Sequence, residues 1–477
     1  MIPLPLSDVA RLAAAEPAGV ADLSAQITSV EVDSRRAGPG TLFVALSGER
    51  TDGHDHAPTA VEAGAVAVLS ARPLDGLPCL VAPDPLEGLQ ALAAGSFSVE
   101  QPWTVGITGS SGKTSTKDLL ASVLRGLLGD EQVLAPQGSF NNELGLPLTL
   151  LRRTERTEAA VLEYSARGTG HIAFLCGLAR PHVAVELNVG SAHLGEFGSP
   201  EGIAKAKGEL VEAVAGPDPV VVLNADDARV AAMRERAPSG ARVVTYGAAA
   251  AADVRIEDLE LDEDGRPRFV LATSSGSVPV HLQLRGEHSA SNAAAAAAVV
   301  LGGRPGTDLQ QLAALLGNAA PASRWRMEVV ERPDGVTVVN DAYNANPDSM
   351  RAALKTLAVL SRGKTRRTWA VLGHMAELGD SEREAHMDLG RFVVRLDVSR
   401  LVVVGPDAGG IHAGAVLEGS WGEESAHVDD VEEAVRLLRA ELWPGDVVLV
   451  KGSRSAGLER VADALLAEPA PGTRSSG

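Results

Sequence analysis

The feature that most constrains the fold is a glycine-rich turn between an apolar run and a helical pattern. Residues 103–117 read Trp-Thr-Val-Gly-Ile-Thr-Gly-Ser-Ser-Gly-Lys-Thr-Ser-Thr-Lys. The run from Val105 to Ile107 is typical of a buried strand, and helical spacing follows Lys117. Glycines let backbone N–H groups close around phosphate oxygens, and the helix N-terminus adds positive potential. The segment therefore predicts a nucleoside triphosphate site on an α/β sheet.

The residues of this loop have defined parts in such a site. We expect Lys113 to reach the β- and γ-phosphates and the Thr114 hydroxyl to hold Mg²⁺. The loop residues expected to bind ATP are Gly109, Ser110, Ser111, Gly112, Lys113, Thr114 and Ser115. The strict G-x-x-x-x-G-K-[ST] pattern is not met, because Ile107 lies five positions before Gly112. A glycine turn that merely ends a strand is the alternative, but the ordered strand, turn, Lys-Thr pair and helix favour the nucleotide.

Composition limits the class of protein. The 477 residues are too many for one ordinary domain, so two or three are expected. The net charge of −19 argues against nucleic acid or an anionic membrane as the main partner. Cys79 and Cys176 are far apart and suit free thiols in a reducing cytosol. The N-terminus has no basic signal region, and the apolar run 293–301 is too short to cross a bilayer. We therefore expect a cytoplasmic enzyme without membrane insertion.

Strand and helix patterns alternate along most of the chain. Residues 1–100 mix short strands and helices, and alternation resumes from 103 to about 320. The stretch 255–284 has short alternating strands with turns, which predicts an antiparallel appendage. From about 325 the strict alternation predicts a parallel, doubly wound sheet. The fold class expected is therefore α/β.

Several polar motifs lie at predicted strand ends or helix starts, where open α/β sheets build their sites. They are Asp33-Ser-Arg35, Gly138-Ser-Phe-Asn-Asn-Glu-Leu-Gly-Leu-Pro147, Asn188-Val-Gly-Ser-Ala-His-Leu194, Ala204-Lys-Ala-Lys-Gly-Glu209, Gly286-Glu-His-Ser-Ala-Ser-Asn-Ala293, Ser323-Arg-Trp-Arg-Met-Glu328, Asn340-Asp-Ala-Tyr-Asn-Ala-Asn-Pro347 and Val450-Lys-Gly-Ser-Arg454. In this order, and over nearly the whole chain, they resemble the Mur ligase family of the MurF type. The phosphate loop alone also fits the folylpolyglutamate synthetases, which share the fold.

The resemblance implies an activity and a domain plan. MurF-type ligases add D-alanyl-D-alanine to UDP-N-acetylmuramoyl-tripeptide with ATP, through an acyl phosphate, in peptidoglycan precursor synthesis. It implies a UDP-substrate domain over 1–101, a central P-loop ATPase domain with a parallel sheet over 102–322 and a C-terminal Rossmann-like domain over 323–468. Composition predicts a disordered tail over 469–477. The chain is expected to act as a monomer.

The resemblance also implies residue roles. Mg²⁺ would lie on Thr114, Glu163, His193 and a carbamylated Lys207. Beyond the loop, ATP would meet Asn292, Arg326, Asp341 and Asn346. The residues expected to carry the chemistry are Lys113, Glu163, His193, Lys207 and Arg326. The residues expected to bind the other substrates are Ser34, Arg35, Asp52, His54, Asn141, Asn142, Ser165, Arg167, Lys451 and Arg454.

The chain departs from the family pattern at three positions. The usual Glu-Met-Gly-Ala-Arg is Glu163-Tyr-Ser-Ala-Arg167, and an acid is replaced by His374 in Gly373-His-Met-Ala-Glu-Leu-Gly379. Alternation along a strand places Tyr164 on the face opposite Glu163, so we expect it in the core. Ser165 would face the substrate and narrow its pocket.

Other interpretations stay open at this point. Glu163 could be a solvated strand cap, Lys207 a solvated helix lysine, and Arg324 a rival to Arg326. The chain could also be a paralogue that joins a different carboxylate or amine in specialised metabolism. A non-catalytic nucleotide-binding protein is the third alternative.

Overall fold

The computed structural model describes residues 1–48, 51–136, 138–190, 194–320, 322–361, 366–420 and 422–467. Within these residues the strands form sheets of five, nine and six strands in that order along the chain, and one two-stranded sheet. The sheets are mostly parallel and carry helices on their faces, so the predicted α/β class is confirmed.

The first sheet belongs to the N-terminal hundred residues. Its region contains the strands Leu4–Pro5 (β1), Glu16–Ala18 (β2), Gln26–Ile27 (β3), Ser29–Glu31 (β4), Thr41–Val44 (β5), Ala67–Ser70 (β6) and Cys79–Val81 (β7), and the helices Leu6–Leu12 (α1), Ala57–Glu62 (α2) and Pro85–Ser98 (α3). The order is β2-β7-β6-β5-β4, parallel except for β2. The central strands β5 and β6 are buried throughout, as apolar runs covered on both faces require.

The nine-stranded sheet follows. Its strands are Trp103–Thr108 (β8), Val133–Leu134 (β9), Ala159–Glu163 (β10), Val183–Glu186 (β11), Val220–Asn224 (β12), Arg242–Gly247 (β13), Val254–Leu261 (β14), Pro267–Thr273 (β15) and Gly276–His281 (β16). The helices are Lys113–Leu128 (α4), Gly145–Leu150 (α5), His171–Leu178 (α6), Leu194–Phe197 (α7), Pro200–Lys207 (α8), Glu209–Ala213 (α9), Ala228–Ala232 (α10), His288–Gly303 (α11) and Leu309–Asn318 (α12).

The strand order of this sheet is β16-β15-β14-β13-β12-β11-β8-β10-β9. The predicted antiparallel strands of 255–284 are present, but they extend the main sheet, because β14 pairs in parallel with β13. The Ala-rich helix α11 is buried along residues 293–298 against this sheet and α4. Small side chains let the helix and the sheet approach closely, so the alanine run packs as core.

The C-terminal sheet contains the strands Glu328–Glu331 (β17), Thr337–Asn340 (β18), Thr368–Leu372 (β19), Arg400–Val404 (β20), Ser425–Val428 (β21) and Val447–Lys451 (β22). The helices are Pro347–Ser361 (α13), Glu382–Arg395 (α14), Gly409–Glu418 (α15), Val431–Glu441 (α16) and Glu459–Leu466 (α17). The order is β17-β18-β22-β19-β20-β21. The predicted parallel sheet is confirmed, with β17 added as an antiparallel edge strand.

One local prediction is wrong. Residues 204–209 were expected to begin a helix, but α8 ends at Lys207 and α9 begins at Glu209. The Arg236 guanidinium donates to the carbonyls of Ala204 and Lys205, and it fills the space that a Cβ on Gly208 would need. Lys207 therefore lies at a fixed junction between two helices.

The predicted disordered tail, 469–477, lies outside the described residues. Across the part of the chain that the structure describes, no helix combines the length and apolar character that a bilayer crossing requires.

Candidate active site

The glycine-rich loop connects β8 to α4 with the backbone that phosphate binding needs. Gly112 directly precedes α4 at φ +83°, and a Cβ there would lie 2.9 Å from the Asn292 Oδ1. A side chain is excluded both by this positive φ and by that contact. The Lys113 ammonium donates to the Gly109 carbonyl at 2.5 Å. Burial lowers the pKa of Lys113, while the nearby Glu163 carboxylate opposes that shift.

Asn188 holds the loop in place from the neighbouring strand. Its Oδ1 accepts from the Ser111 backbone N–H at 2.9 Å, and its Nδ2 donates to the Ser111 carbonyl at 3.2 Å. The Ser110 N–H also donates to the Asn188 carbonyl. Asn188 is not among the predicted site residues, although its place just after a strand is a usable signal.

A cavity of about 450 Å³ lies over this loop. Residues from the region of the nine-stranded sheet and from the region of the six-stranded sheet line this cavity. They are Ser110, Ser111, Gly112, Lys113, Thr114, Ser115, Ser139, Asn141, Ser165, Arg167, Arg326, Tyr343, Asn344, Asn346, Ser349, Ala376, Glu377, Ser453, Arg454 and Ser455. The phosphate loop thus faces residues that are more than two hundred positions away in sequence. Polar hydroxyls, amides and three arginines line the space, which suits a polyanion.

Arg326 crosses this cavity. Its Nη2 donates to the Thr114 hydroxyl at 3.3 Å, and its guanidinium stacks 4.2 Å from the Tyr343 ring centroid. The flanking residues Trp325 and Met327 both have left-handed backbones, at φ +60° and +50°. Such strain persists where the surrounding structure demands it. Arg324, the alternative, is exposed.

Oxygen donors converge beside the Thr114 hydroxyl. That hydroxyl lies 2.9 Å from the Ser139 Oγ and 3.2 Å from the Glu163 Oε2, which also accepts from the Asn141 Nδ2 at 3.3 Å. The Glu163 Oε1 is buried without a partner among the described residues. Burial raises the pKa of this carboxyl, and the cations Lys117, Lys113 and Arg326 oppose the shift.

This donor set fits Mg²⁺, which prefers hydroxyl, carboxylate and phosphate oxygens. Among the described residues, no three His, Cys, Asp or Glu side chains cluster as a ready metal site. Thr114 and Glu163 would therefore share the ion with ATP phosphate oxygens and water. The Glu163 oxygen that lacks a partner is the atom that a cation would satisfy.

Lys207 is buried close to Lys113 and to a second buried acid, Glu186. Neither Glu186 oxygen has a hydrogen-bond partner among the described residues. Burial lowers the pKa of Lys207 and raises that of Glu186, because each charge is removed from water. The solvated-lysine interpretation is excluded by this burial. His193 lies outside the described residues.

A second cavity, of about 270 Å³, continues from the loop between the two sheets. Asn292, Asp341 and Lys451 line it, together with His288 and Ser289 from α11. The Asn292 Nδ2 is buried without a partner within the described residues, which suits contact with a base. His288 was missed by the sequence analysis. Its place in the first turn of α11, four residues before Asn292, was the available signal.

Three predicted residues shape the C-terminal wall of these cavities. The Lys451 ammonium donates to the Asp341 Oδ2 at 2.6 Å and to the Asn344 carbonyl, and it is buried. Asp341 also accepts from the Met327 N–H. The Asn346 side chain accepts from the Ser349 N–H in the first turn of α13. Lys451 was expected at the incoming dipeptide; its ammonium pairs with Asp341 beside the second cavity.

The substrate-side predictions divide into two groups. Asn141, Ser165, Arg167 and Arg454 line the first cavity. Asn142 instead accepts from the Gly145 N–H at the start of α5. Among the described residues, none of the predicted N-terminal residues lines either cavity: Ser34, Arg35, Asp52 and His54.

The N-terminal residues form local contacts. The Arg35 guanidinium donates to Asp33 on the surface. His54 is buried, with its Nδ1 2.6 Å from the Asp52 Oδ1 and its Nε2 accepting from the Ala71 N–H. Because Nε2 accepts, Nδ1 carries the proton and donates to Asp52. Both ring nitrogens of His54 are thus used within the domain.

The departures from the family pattern have clear positions. Tyr164 is fully buried and its hydroxyl donates to the Ala179 carbonyl at 2.5 Å, so its predicted place in the core is confirmed. Ser165 lines the first cavity, as predicted. The His374 ring stacks on His386 with centroids 5.4 Å apart, and its Nε2 lies 3.1 Å from Glu382.

Comparisons with known proteins agree with this architecture. The family description "Mur ligase middle domain" matches residues 107–300, "Mur ligase, glutamate ligase domain" matches 325–454, and "Mur ligase family, catalytic domain" matches 26–82. The crystal structure I of MurF from Acinetobacter baumannii has a TM-score of 0.85 at 30% identity, covering 98% of this chain and 99% of that one. The chain belongs to the Mur ligase family.

Its curated relatives narrow the type. A UDP-N-acetylmuramoyl-tripeptide--D-alanyl-D-alanine ligase from Mycobacterium tuberculosis is 49% identical, covering 98% of each chain. The ligase of the same name from Escherichia coli K12 is 36% identical over 98% of this chain and 99% of its own. The MurF ligase from Thermotoga maritima in complex with ADP has a TM-score of 0.76 at 29% identity, covering 91% of this chain and 96% of its own. Within the family the chain is of the MurF type.

Proposed function

We propose that this chain is an ATP-dependent amide ligase that joins D-alanyl-D-alanine to UDP-N-acetylmuramoyl-tripeptide in peptidoglycan precursor synthesis. The observation that carries the proposal is the contact between Arg326 and Thr114, which brings the segment before β17 over the phosphate loop. That contact closes one cavity around both the loop and the predicted substrate residues. The chain acts as a monomer in the cytoplasm.

The reaction joins a carboxylate to an amine in two steps. A carboxylate oxygen of the tripeptide attacks the γ-phosphorus, the bond to the β-phosphate oxygen breaks, and ADP leaves. The dipeptide amine then attacks the acyl carbon, loses a proton, and expels phosphate through a tetrahedral intermediate. Negative charge develops on the transferring oxygens, so fixed cations give the main stabilisation.

Different residues of the cavity have different roles in this reaction. The loop N–H groups and Lys113 hold the phosphates, and Arg326 meets the γ-phosphate from the opposite wall. Mg²⁺, when bound at Thr114 and Glu163, supplies further positive charge at the β- and γ-phosphates. Asn292 and Asp341 hold the nucleoside, with Asn346 shaping the turn beside it. Asn141, Ser165 and Arg167 face the tripeptide end, and Arg454 faces the incoming dipeptide.

The N-terminal hundred residues carry the UDP end of the first substrate. We place Ser34, Arg35 and Asp52 in that part of the site, with the buried His54 and the loop residue Asn142 supporting its backbone. Gln90 of α3 donates to the Glu143 carbonyl, which joins this domain to the loop that holds Asn142. We propose that the three domains span residues 1–101, 102–322 and 323–468.

A carbamate on Lys207 completes the metal region, together with His193. The burial of Lys207 supports it, because a buried amine loses its proton readily and only the neutral amine attacks CO₂. The nitrogen forms a bond to the CO₂ carbon and releases one proton. A carbamate signal in the ¹³C spectrum of the folded protein in ¹³C-bicarbonate, absent from Lys207→Met, is expected. A spectrum identical for the two proteins contradicts the carbamate.

The acyl phosphate can be traced with labelled oxygen. With ¹⁸O in the terminal carboxylate of the tripeptide, one label should appear in the released phosphate for each amide bond formed. Label that stays entirely in the ligated product contradicts the mechanism. Reaction with other amines but not with D-alanyl-D-alanine would support the paralogue alternative.

A further inference from the structure

A second lysine of α4 is buried where the established chemistry gives it no part. Lys117 lies one turn after Lys113 and is 1% exposed. Its ammonium donates to the carbonyls of Pro136 and Gly138 at 3.1 and 3.2 Å, and it pairs with the Asp118 carboxylate at 2.5 Å. Lysine is almost never fully buried without such partners, because its charge is strongly hydrated in water.

The two carbonyls begin the segment that connects β9 to the substrate side of the cavity. Directly after Gly138, the Ser139 Oγ lies 2.9 Å from the Thr114 Oγ1. Two positions further on, the Asn141 amide donates to Glu163, and the Asn141 carbonyl accepts from the Ser165 N–H. Segment 138–142 therefore touches the phosphate loop, the metal-facing acid and the tripeptide side at once.

This segment needs an anchor, because 138–141 has no helix or strand of its own. Gly138 has φ +67°, a backbone conformation that side-chain-bearing residues rarely adopt, and a Cβ built there would meet no atom of the described residues within 4 Å. The Lys117 ammonium is a charged donor to this turn, and charged donors form the stronger class of hydrogen bond. It fixes the turn from the same helix that begins at the phosphate loop.

We propose that Lys117 is a positioning residue that couples the nucleotide site to the tripeptide site by tethering segment 138–142 to α4. The inference rests on the proposed ligase function for its kinetic readout. Lys117 is not among the described residues that line the two cavities. It acts through Ser139 and Asn141, whose side chains it holds over Thr114 and Glu163.

Three variants are compared by their initial rates. In each series one of the three substrates is varied while the other two are kept at saturating concentrations. Lys117→Met keeps the length and apolar stem of the side chain but donates nothing. It should raise KM for the UDP-tripeptide about tenfold, with KM for D-alanyl-D-alanine unchanged. Asp118→Asn keeps the lysine and its carbonyl bonds but removes the paired charge, so it should raise KM for the UDP-tripeptide less than Lys117→Met does. Lys205→Met removes an exposed lysine and is the matched control.

Amide hydrogen exchange gives a readout that does not depend on turnover. In Lys117→Met the amides of 138–142 should exchange faster, while those of β8 and β10 keep their protection. Lys117→Gln is the second variant should the methionine protein fail to fold, and the same pattern is expected of it. A folded variant with native KM and native exchange in 138–142 overturns the coupling. Equal losses in all three KM values, with a general rise in exchange, would indicate a purely structural lysine and also overturn it.

The two proposals fail in different ways. If the native protein does not join D-alanyl-D-alanine to the tripeptide, the proposed function is wrong. Calorimetric binding of the UDP-tripeptide, with and without an ATP analogue, still tests Lys117. The analogue should strengthen tripeptide binding to the native protein, and this gain should be lost in Lys117→Met. A gain of equal size in both proteins contradicts the coupling.

Discussion

The Arg326 guanidinium donates to the Thr114 hydroxyl at 3.3 Å, although the two residues lie 212 positions apart. Thr114 also contacts Glu163 and Ser139, so one hydroxyl joins the phosphate loop, the acid of β10 and the C-terminal sheet. Two further contacts join the same two parts of the chain. The Gly195 N–H donates to the Glu377 carbonyl, and the Gly190 backbone lies against the Asp348 carboxylate.

Arg324 and Arg326, which lie two positions apart shortly before β17, test this arrangement. Arg326→Ala should lower kcat about 100-fold, because a fixed cation over the transferring phosphate is lost. Arg324→Ala is the matched control, and its exposed cation should change kcat by less than about twofold. Steady-state ADP release measures both. Equal effects of the two substitutions would show that Arg326 has no special place at the phosphates.

Ser165 tests the departure from the family pattern on the tripeptide side. Ser165→Gly should lower KM for the UDP-tripeptide about threefold and change kcat less, because a side chain that narrows the binding cavity is removed. The comparison is Tyr164→Phe, which should keep both constants and lower stability by about 1 kcal/mol through loss of the bond to Ala179. A larger change in kcat than in KM for Ser165→Gly would place this residue at the reacting atoms.

Glu186 predicts a pH dependence of stability. Burial raises its pKa from 4.5 to about 8. Between these values the unfolded chain ionises while the folded protein keeps the proton, so this carboxyl lowers the free energy of unfolding as pH rises. Glu186→Gln removes that loss, and its stability advantage over the native protein should grow from pH 5 to pH 8. Urea unfolding at several pH values measures it.

The control for this experiment is an exposed glutamate. Glu62→Gln is made at an exposed position and should leave the free energy of unfolding within about 0.5 kcal/mol of the native value. A Glu186→Gln advantage that stays constant between pH 5 and pH 8 would show that the carboxyl is ionised in the folded protein.

Local pattern was enough to predict the phosphate loop and most of the C-terminal alternation. Each depends on residues within one strand–turn–helix unit, where apolar periodicity and glycine placement carry the information. The antiparallel strands of 255–284 were also predicted, but their union with the main sheet was not, because pairing between β13 and β14 is not encoded in alternation.

The long-range contacts were beyond sequence reasoning. Nothing local marks Lys117 as buried, since lysines in helices are usually solvated, and its two carbonyl partners lie about twenty positions away. The hydrogen bond of Asn188 to the phosphate loop and the pairing of Lys451 with Asp341 also join residues that are distant in sequence, so local patterns did not reveal them. Arg326 was chosen over Arg324 by family resemblance, and only the folded chain shows which of them faces the cavity.

The ATP-dependent joining of D-alanyl-D-alanine to UDP-N-acetylmuramoyl-tripeptide can be measured on the native protein. The most direct measurement is ADP release by the native protein with each substrate alone and with both together. We expect ADP release coupled to amide formation only when tripeptide and dipeptide are both present, and its near loss in Lys113→Ala. ADP release that depends on a different amine, or none with the complete mixture, would contradict this expectation.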